Sequence, residues 1–235
     1  MKTTSLLTLT FLFLSAKVSA QDAALLAAER ARGIMTGSNG VQWTVTVKSS
    51  DGRSAAFRAI SQSGKIWAEV RSPDEARGRK YIAESKGAMW FWKPGLSRPV
   101  SVSKRQRLSG DAAIGDIAST SYVDGYKLES TSQGEIDGEP ATIYILKANS
   151  FTDTYREIRY WVTKKGHLGK KAEFYAKSGT LIRSSTMEYG NQVNGKPFLS
   201  KMTVKDADKT VELTFTEVKI GSYPAALFDK KNLGK

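Results

Sequence analysis

The side chains best suited to chemistry in this sequence are large and apolar rather than nucleophilic. Trp43, Phe57, Trp67, Trp90, Trp92, Trp161, Phe174, Met202 and Phe215 fall on segments with strand character, and what they offer is shelter for hydrocarbon. Four such residues stand together at Met89-Trp90-Phe91-Trp92, so a strand there is apolar on both faces. One face can serve an ordinary core; the other needs a second occupant. Alternation sends Trp90 and Trp92 one way and Met89 and Phe91 the other. The expectation is that Trp90 and Trp92 join Trp43, Trp161 and Phe215 in the wall of a ligand cavity, while Phe91 belongs to the core. Beyond the turn at Pro94-Gly95, the basic side chains Lys104, Arg105 and Arg107 offer contacts to a headgroup or a partner.

Catalytic equipment is sparse. His167, the single histidine, sits in a predicted turn beside Lys164 and Lys165, where it reads as solvated surface. There is no cysteine, hence no disulfide, no thiolate metal site and no acylated cysteine. A serine nucleophile elbow, a phosphate-cradling glycine loop and a HExxH helix are all missing. Carboxylates such as Asp51, Asp137 and Glu173 are scattered at turns and on polar strand faces, and no pair of them stands out. The sequence therefore predicts a binding protein that is not an enzyme, with no cofactor and no metal.

The elements that must position the aromatic residues are mostly strands. Asp22 can cap a helix through Ala23–Arg30 that Gly33 stops. Val41, Trp43, Val45 and Val47 alternate with polar residues in the period of a half-buried strand, and Asp51-Gly52 turns it. Further strands are read at Ser54–Ser61, Lys65–Arg71, Arg79–Glu84, Met89–Trp92, Tyr126–Gly134, Ala141–Asn149, Tyr155–Thr163, Leu168–Ala176, Thr180–Tyr189, Lys196–Asp206 and Thr210–Ile220. Residues 101–126 break the pattern and read as a loop with short helices lying over one mouth of the sheet. Pro224–Leu233 reads as a helical turn docking Phe228 and Leu233. Together these predict one long antiparallel meander curled into an open or closed barrel, without internal repeat or linker.

Lys2, the apolar run Leu6–Leu14 and the small residues before Gln21 form a secretory signal peptide over residues 1–20, cleaved after Ala20. Residues 21–235 are then one exported domain. Of 36 basic residues, Lys2 and Lys17 leave with the signal, so 34 remain against 23 acidic, a formal charge of +11. An exported protein of that charge points to anionic membrane surfaces, headgroups or an acidic partner rather than nucleic acid.

Several stretches resemble the outer-membrane lipoprotein-sorting family, the LolA-like periplasmic carriers. They are Met89–Pro94, Arg98-Pro99-Val100, the segment 103–115, Tyr160-Trp161-Val162, Ala172–Gly179, and Leu213-Thr214-Phe215 through Leu227-Phe228. The resemblance covers nearly the whole mature chain. It implies a mainly β fold with a few helices, in which a strongly curved antiparallel sheet forms an unclosed barrel with a helical lid or plug. It also implies a monomeric, non-enzymatic periplasmic carrier that shields acyl chains of a lipoprotein or lipid in transit towards the outer membrane. An inner-membrane export complex would donate the cargo and an outer-membrane acceptor would receive it, with transient membrane contact. Where many relatives carry an aromatic-acidic stretch, this chain reads Ile117-Ala118-Ser119-Thr120-Ser121-Tyr122, and no lid-latching arginine is assigned by the resemblance. Two other readings stand beside it: a lipid-binding subunit of an inner-membrane lipid exporter, and a secreted carbohydrate- or envelope-binding β module.

Overall fold

The structure is a computed structural model of the 235-residue chain. It describes residues 23–34, 37–84, 87–103, 106, 115, 117–150 and 153–235. The signal peptide, the cap at Asp22 and the expected contacts of Lys104, Arg105 and Arg107 lie outside the described residues.

The N-terminal half supplies β1 (Gly40–Ser49), β2 (Ser54–Gln62), β3 (Lys65–Ser72), β4 (Lys80–Glu84), β5 (Met89–Trp92) and a short β6 (Val100–Ser101). The second half supplies β7 (Tyr126–Ile136), β8 (Glu139–Ala148), β9 (Glu157–Thr163), β10 (Gly169–Tyr175), β11 (Leu181–Glu188), β12 (Asn191–Val193), β13 (Lys196–Phe198), β14 (Lys201–Lys205) and β15 (Thr210–Gly221). Local chemistry explains the tight turns. Asp137 (φ 52°) and Gly138 (φ 76°) both take positive φ, as the hairpin turn matching strand twist requires.

Thirteen strands form one antiparallel sheet in the order β6-β5-β4-β3-β2-β1-β15-β14-β11-β10-β9-β8-β7, curved but not closed into a barrel. It is not the single meander expected. β1 pairs with β15, so the first and last strands meet in the middle of the sheet, while β6 and β7, neighbours in sequence, become opposite edges. Residues 102–125 therefore have to cross from one edge to the other. The expected strand Lys196–Asp206 is also broken. β13 pairs with β12 as a separate small sheet, and Leu199, whose amide donates to Ala31 O at 2.9 Å, lies between it and β14.

Register decides which side chains share a face. Val41, Trp43, Val45, Ala59, Tyr144, Leu146, Ile158, Tyr160, Phe174, Met202, Val204, Leu213 and Phe215 form one cluster spanning β1 to β15, on the concave side. Ile60, Trp67 and Ile82 form a smaller cluster on the convex side with Phe228 and Leu233, and Trp90 and Trp92 pack against it.

Candidate functional site

The concave face is apolar, and elements from two distant parts of the chain fill it. The first is a helix over residues 23–31, here α1. Its alanine-rich sequence favours helix, and it buries Ala24, Leu25, Ala28 and Ala31 on the sheet side. Gly33, at φ 99°, ends it: Gly33 N donates to Arg30 O and Ile34 N to Glu29 O, satisfying carbonyls of the last turn. No Cβ penalty attaches to glycine at that φ. The second is the crossing segment, of which 117–119 are helical. Ile117 and Tyr122 are each 1% exposed. The Tyr122 ring meets Tyr160 and Phe174 edge-on, with centroids 5.2 and 5.3 Å away, an arrangement its quadrupole favours.

One buried ion pair ties the two pieces together. Arg32 bonds Glu29 through Nε (3.1 Å) and Nη2 (2.9 Å), then donates from Nη1 to Ile117 O (3.1 Å) and from Nη2 to Thr120 O (2.6 Å). Its guanidinium carbon lies 3.6 Å from the Tyr122 ring centroid. Glu29 in turn accepts from Tyr122 N at 2.8 Å. Burial opposes the Arg32 charge, but Glu29 and the surrounding phenols outweigh it and raise the pKa above its ordinary value. Such a pair adds little net stability against an apolar replacement, yet breaking it strands a buried charge. It therefore fixes where the plug sits rather than how stable the fold is.

Polar groups on this face are few. Tyr160 Oη, Ser185 Oγ and Trp43 Nε1 are buried without a hydrogen-bond partner. Desolvation pushes the Tyr160 phenol well above its usual pKa. Its hydroxyl lies over Gly169, where an added Cβ would stand 1.8 Å from Oη, so only glycine leaves room for the phenol. Between the crossing segment and β9 a recess of about 30 Å³, lined by Thr120, Tyr122, Tyr155 and Phe174, holds little more than a water molecule. With the plug in place, no volume of acyl-chain size opens there.

The nine apolar residues expected to line one cavity divide between two faces. Trp43 (4% exposed), Phe174, Met202 and Phe215 are buried on the concave side, and half-buried Phe57 packs against the same cluster. Trp43 contacts Phe198 at 5.6 Å between ring centroids. Trp67, Trp90 and Trp92 are on the convex side, because the registers Ile60↔Trp67, Trp67↔Ile82 and Ile82↔Trp90 carry one face across β2 to β5. Trp161 is convex too, with Lys171 Nζ 4.5 Å from its ring centroid. A single cavity cannot take both sets. Within Met89–Trp92, Phe91 and Met89 share the face of Tyr81 and Ala83, and the C-terminal residues cover Trp90 and Trp92. Alternation was readable, but which side curves inward depends on pairing partners far away in the chain. The Glu29–Arg32 pair escaped sequence reasoning altogether; its local trace is a carboxylate in the last turn of α1 and a guanidinium three residues later, just past the helix end, with Arg30 between them as a second candidate cation.

Among the described residues no group of three or more His, Cys, Asp or Glu could hold a metal ion, and no helix is long and apolar enough to cross a membrane.

Residues 63–235 match the model of a protein family described as uncharacterized. No curated protein matches the chain by sequence. Among solved structures, a LolA superfamily protein from Nitrosomonas europaea is 24% identical with a TM-score of 0.71, over 88% of this chain and 97% of that one. A putative outer membrane lipoprotein-sorting protein domain from Vibrio parahaemolyticus is 17% identical with a TM-score of 0.73, over 91% and 99%. A DUF1329 family protein from Desulfovibrio piger is 17% identical with a TM-score of 0.69, over 88% and 96%. At these identities the likeness establishes the LolA-like fold.

Proposed function

We propose that this chain, which belongs to the family matched over residues 63–235 and has a LolA-like fold, is an exported, non-enzymatic carrier that shields the acyl chains of a lipoprotein or lipid in transit through the periplasm. One observation carries the reading: the concave apolar face is roofed by a plug from elsewhere in the chain, held in register by the buried pair Glu29–Arg32.

Cargo takes the place of the plug. Acyl chains replace Leu25, Ala28, Ile117 and Tyr122 against a wall of Trp43, Phe57, Phe174, Met202 and Phe215. Each methylene sheltered is worth about 0.8 kcal/mol, so a long chain supplies roughly 10 kcal/mol towards displacing the plug. Lys104, Arg105 and Arg107, on the segment leading into the plug, receive the headgroup or a partner. Residues 21–235 act as one domain after removal of the signal peptide.

Protein exported in its own host and extracted with organic solvent should yield stoichiometric lipid by mass spectrometry. The delipidated protein should then take up a fluorescent fatty-acyl probe with micromolar or tighter affinity. Uptake no better than that of an unrelated basic β protein, with no lipid in the extract, would overturn the carrier reading.

A further inference from the structure

We infer a second binding site, on the convex face and independent of the plugged concavity, with the chemistry to hold a neutral sugar ring. Residues 223–235 cross that face as a strap fixed at both ends. Gln62 Nε2 donates to Tyr223 O at 3.0 Å and Tyr223 N donates back to Gln62 Oε1 at 2.9 Å; at the far end Lys80 Nζ donates to Lys235 O at 3.0 Å. Phe228 descends onto the sheet between these anchors, yet the strap leaves a cavity of about 260 Å³ against β3, β4 and β5.

The floor of the cavity is apolar, made by Ile82, Phe228 and the half-buried Trp90. Its rim is charged and balanced. Lys65 stands 3.6 Å from Glu84, too long for a hydrogen bond, so both keep capacity for a ligand. Lys230 Nζ lies 4.6 Å from the Trp90 ring centroid, and Asp229 is beside it on the strap. Two ammonium groups thus face two carboxylates, an arrangement that selects against ligands carrying a net charge of either sign. An acyl chain is disfavoured as well, since it would have to pass four charged side chains and desolvate them.

A pyranose meets each condition. Its C–H face, slightly positive, lies on the negative face of the Trp90 indole. Its hydroxyls, donors and acceptors at once, reach the donors Lys65 and Lys230 and the acceptors Glu84 and Asp229, the latter through Oδ2 because Oδ1 accepts from Lys231 N at 2.9 Å. The Lys230 ammonium on the ring shows that the Trp90 face attracts positive charge, and the flexible lysine stem can swing aside. Ala225, on the strap wall, is small enough to leave the space open.

Saturation-transfer NMR and titration calorimetry on the mature protein test this, using N-acetylglucosamine, methyl β-glucoside and chitobiose, with glycerophosphoethanolamine as a zwitterionic comparison. At least one sugar should bind with millimolar affinity, receiving saturation mainly on one ring face. Stronger binding of chitobiose would identify a glycan chain rather than a free monosaccharide as the source. Ala225→Leu, which fills the cavity from the strap, should abolish sugar binding, and Glu84→Gln should weaken it about fivefold or more, close to 1 kcal/mol. Acyl-probe uptake should be unchanged in both variants, so failure here leaves the carrier reading untouched. No transfer to any sugar, binding that survives Ala225→Leu, or binding of the zwitterion alone would overturn the proposal.

Discussion

Arg32 is the residue on which closure turns, because its guanidinium reaches Glu29 and the carbonyls of Ile117 and Thr120 from one buried position. Replacing it with methionine keeps the volume but leaves Glu29 buried without its cation, at a cost of about 3–5 kcal/mol concentrated in the plug. If plug and cargo compete for one face, a weaker plug raises the competent fraction and therefore the apparent affinity. Arg32→Met should speed hydrogen exchange at residues 117–122 and tighten acyl-probe binding, and Glu29→Gln in the same chain should restore part of the stability. Probe affinity that falls in step with stability would mean that the pair supports the binding wall instead of closing it.

At the scale of the element, the instructive case is the C-terminal strap over β3 to β5. The sequence showed a helical turn docking Phe228 and Leu233, and both are buried, at 5% and 1% exposure. What it could not show was the partner surface. Hydrophobic period two announces an apolar side of a strand without saying whether that side faces in or out, and Trp67, Trp90 and Trp92 lie on the face opposite Trp43 and Phe215. The hairpins were legible because their turns depend on local chemistry; the β1–β15 pairing and the broken β13–β14 region depend on contacts remote in sequence. Phe228→Ala separates the two faces experimentally. Truncating a packed phenylalanine costs about 3–5 kcal/mol, so the unfolding midpoint should drop and tryptophan emission should shift red as the convex indoles hydrate. Acyl-probe affinity should hold. A parallel loss of affinity would return the convex tryptophans to the acyl site.

The whole molecule is a curved sheet whose concavity is closed by its own chain and whose edge strands are β6 and β7. Its general form was legible from the many short strands and the irregular stretch between them; the plugged interior was not, because Glu29, Arg32 and Tyr122 meet across some ninety residues of sequence. That interior has a consequence for alkaline stability. Burial raises Tyr160 well above the ordinary phenol value, and Tyr189, whose hydroxyl donates to Gly169 O at 2.7 Å, is also raised, first of all by desolvation. In the unfolded chain both ionise near pH 10. Above that pH the unfolded state has lost protons that the folded state still binds, so stability falls as pH rises; below it, their contribution is fully present. The thermal midpoint should therefore hold level up to about pH 9 and decline beyond about pH 10, and the part of the tyrosinate absorbance that Tyr160→Phe removes should appear with unfolding rather than before it. Tyr160→Phe, which also removes an unpartnered buried hydroxyl, should reduce that decline at little cost at neutral pH. A tyrosinate signal that develops fully in the folded protein near pH 10 would show that water reaches the concave face, and that the plug does not seal it.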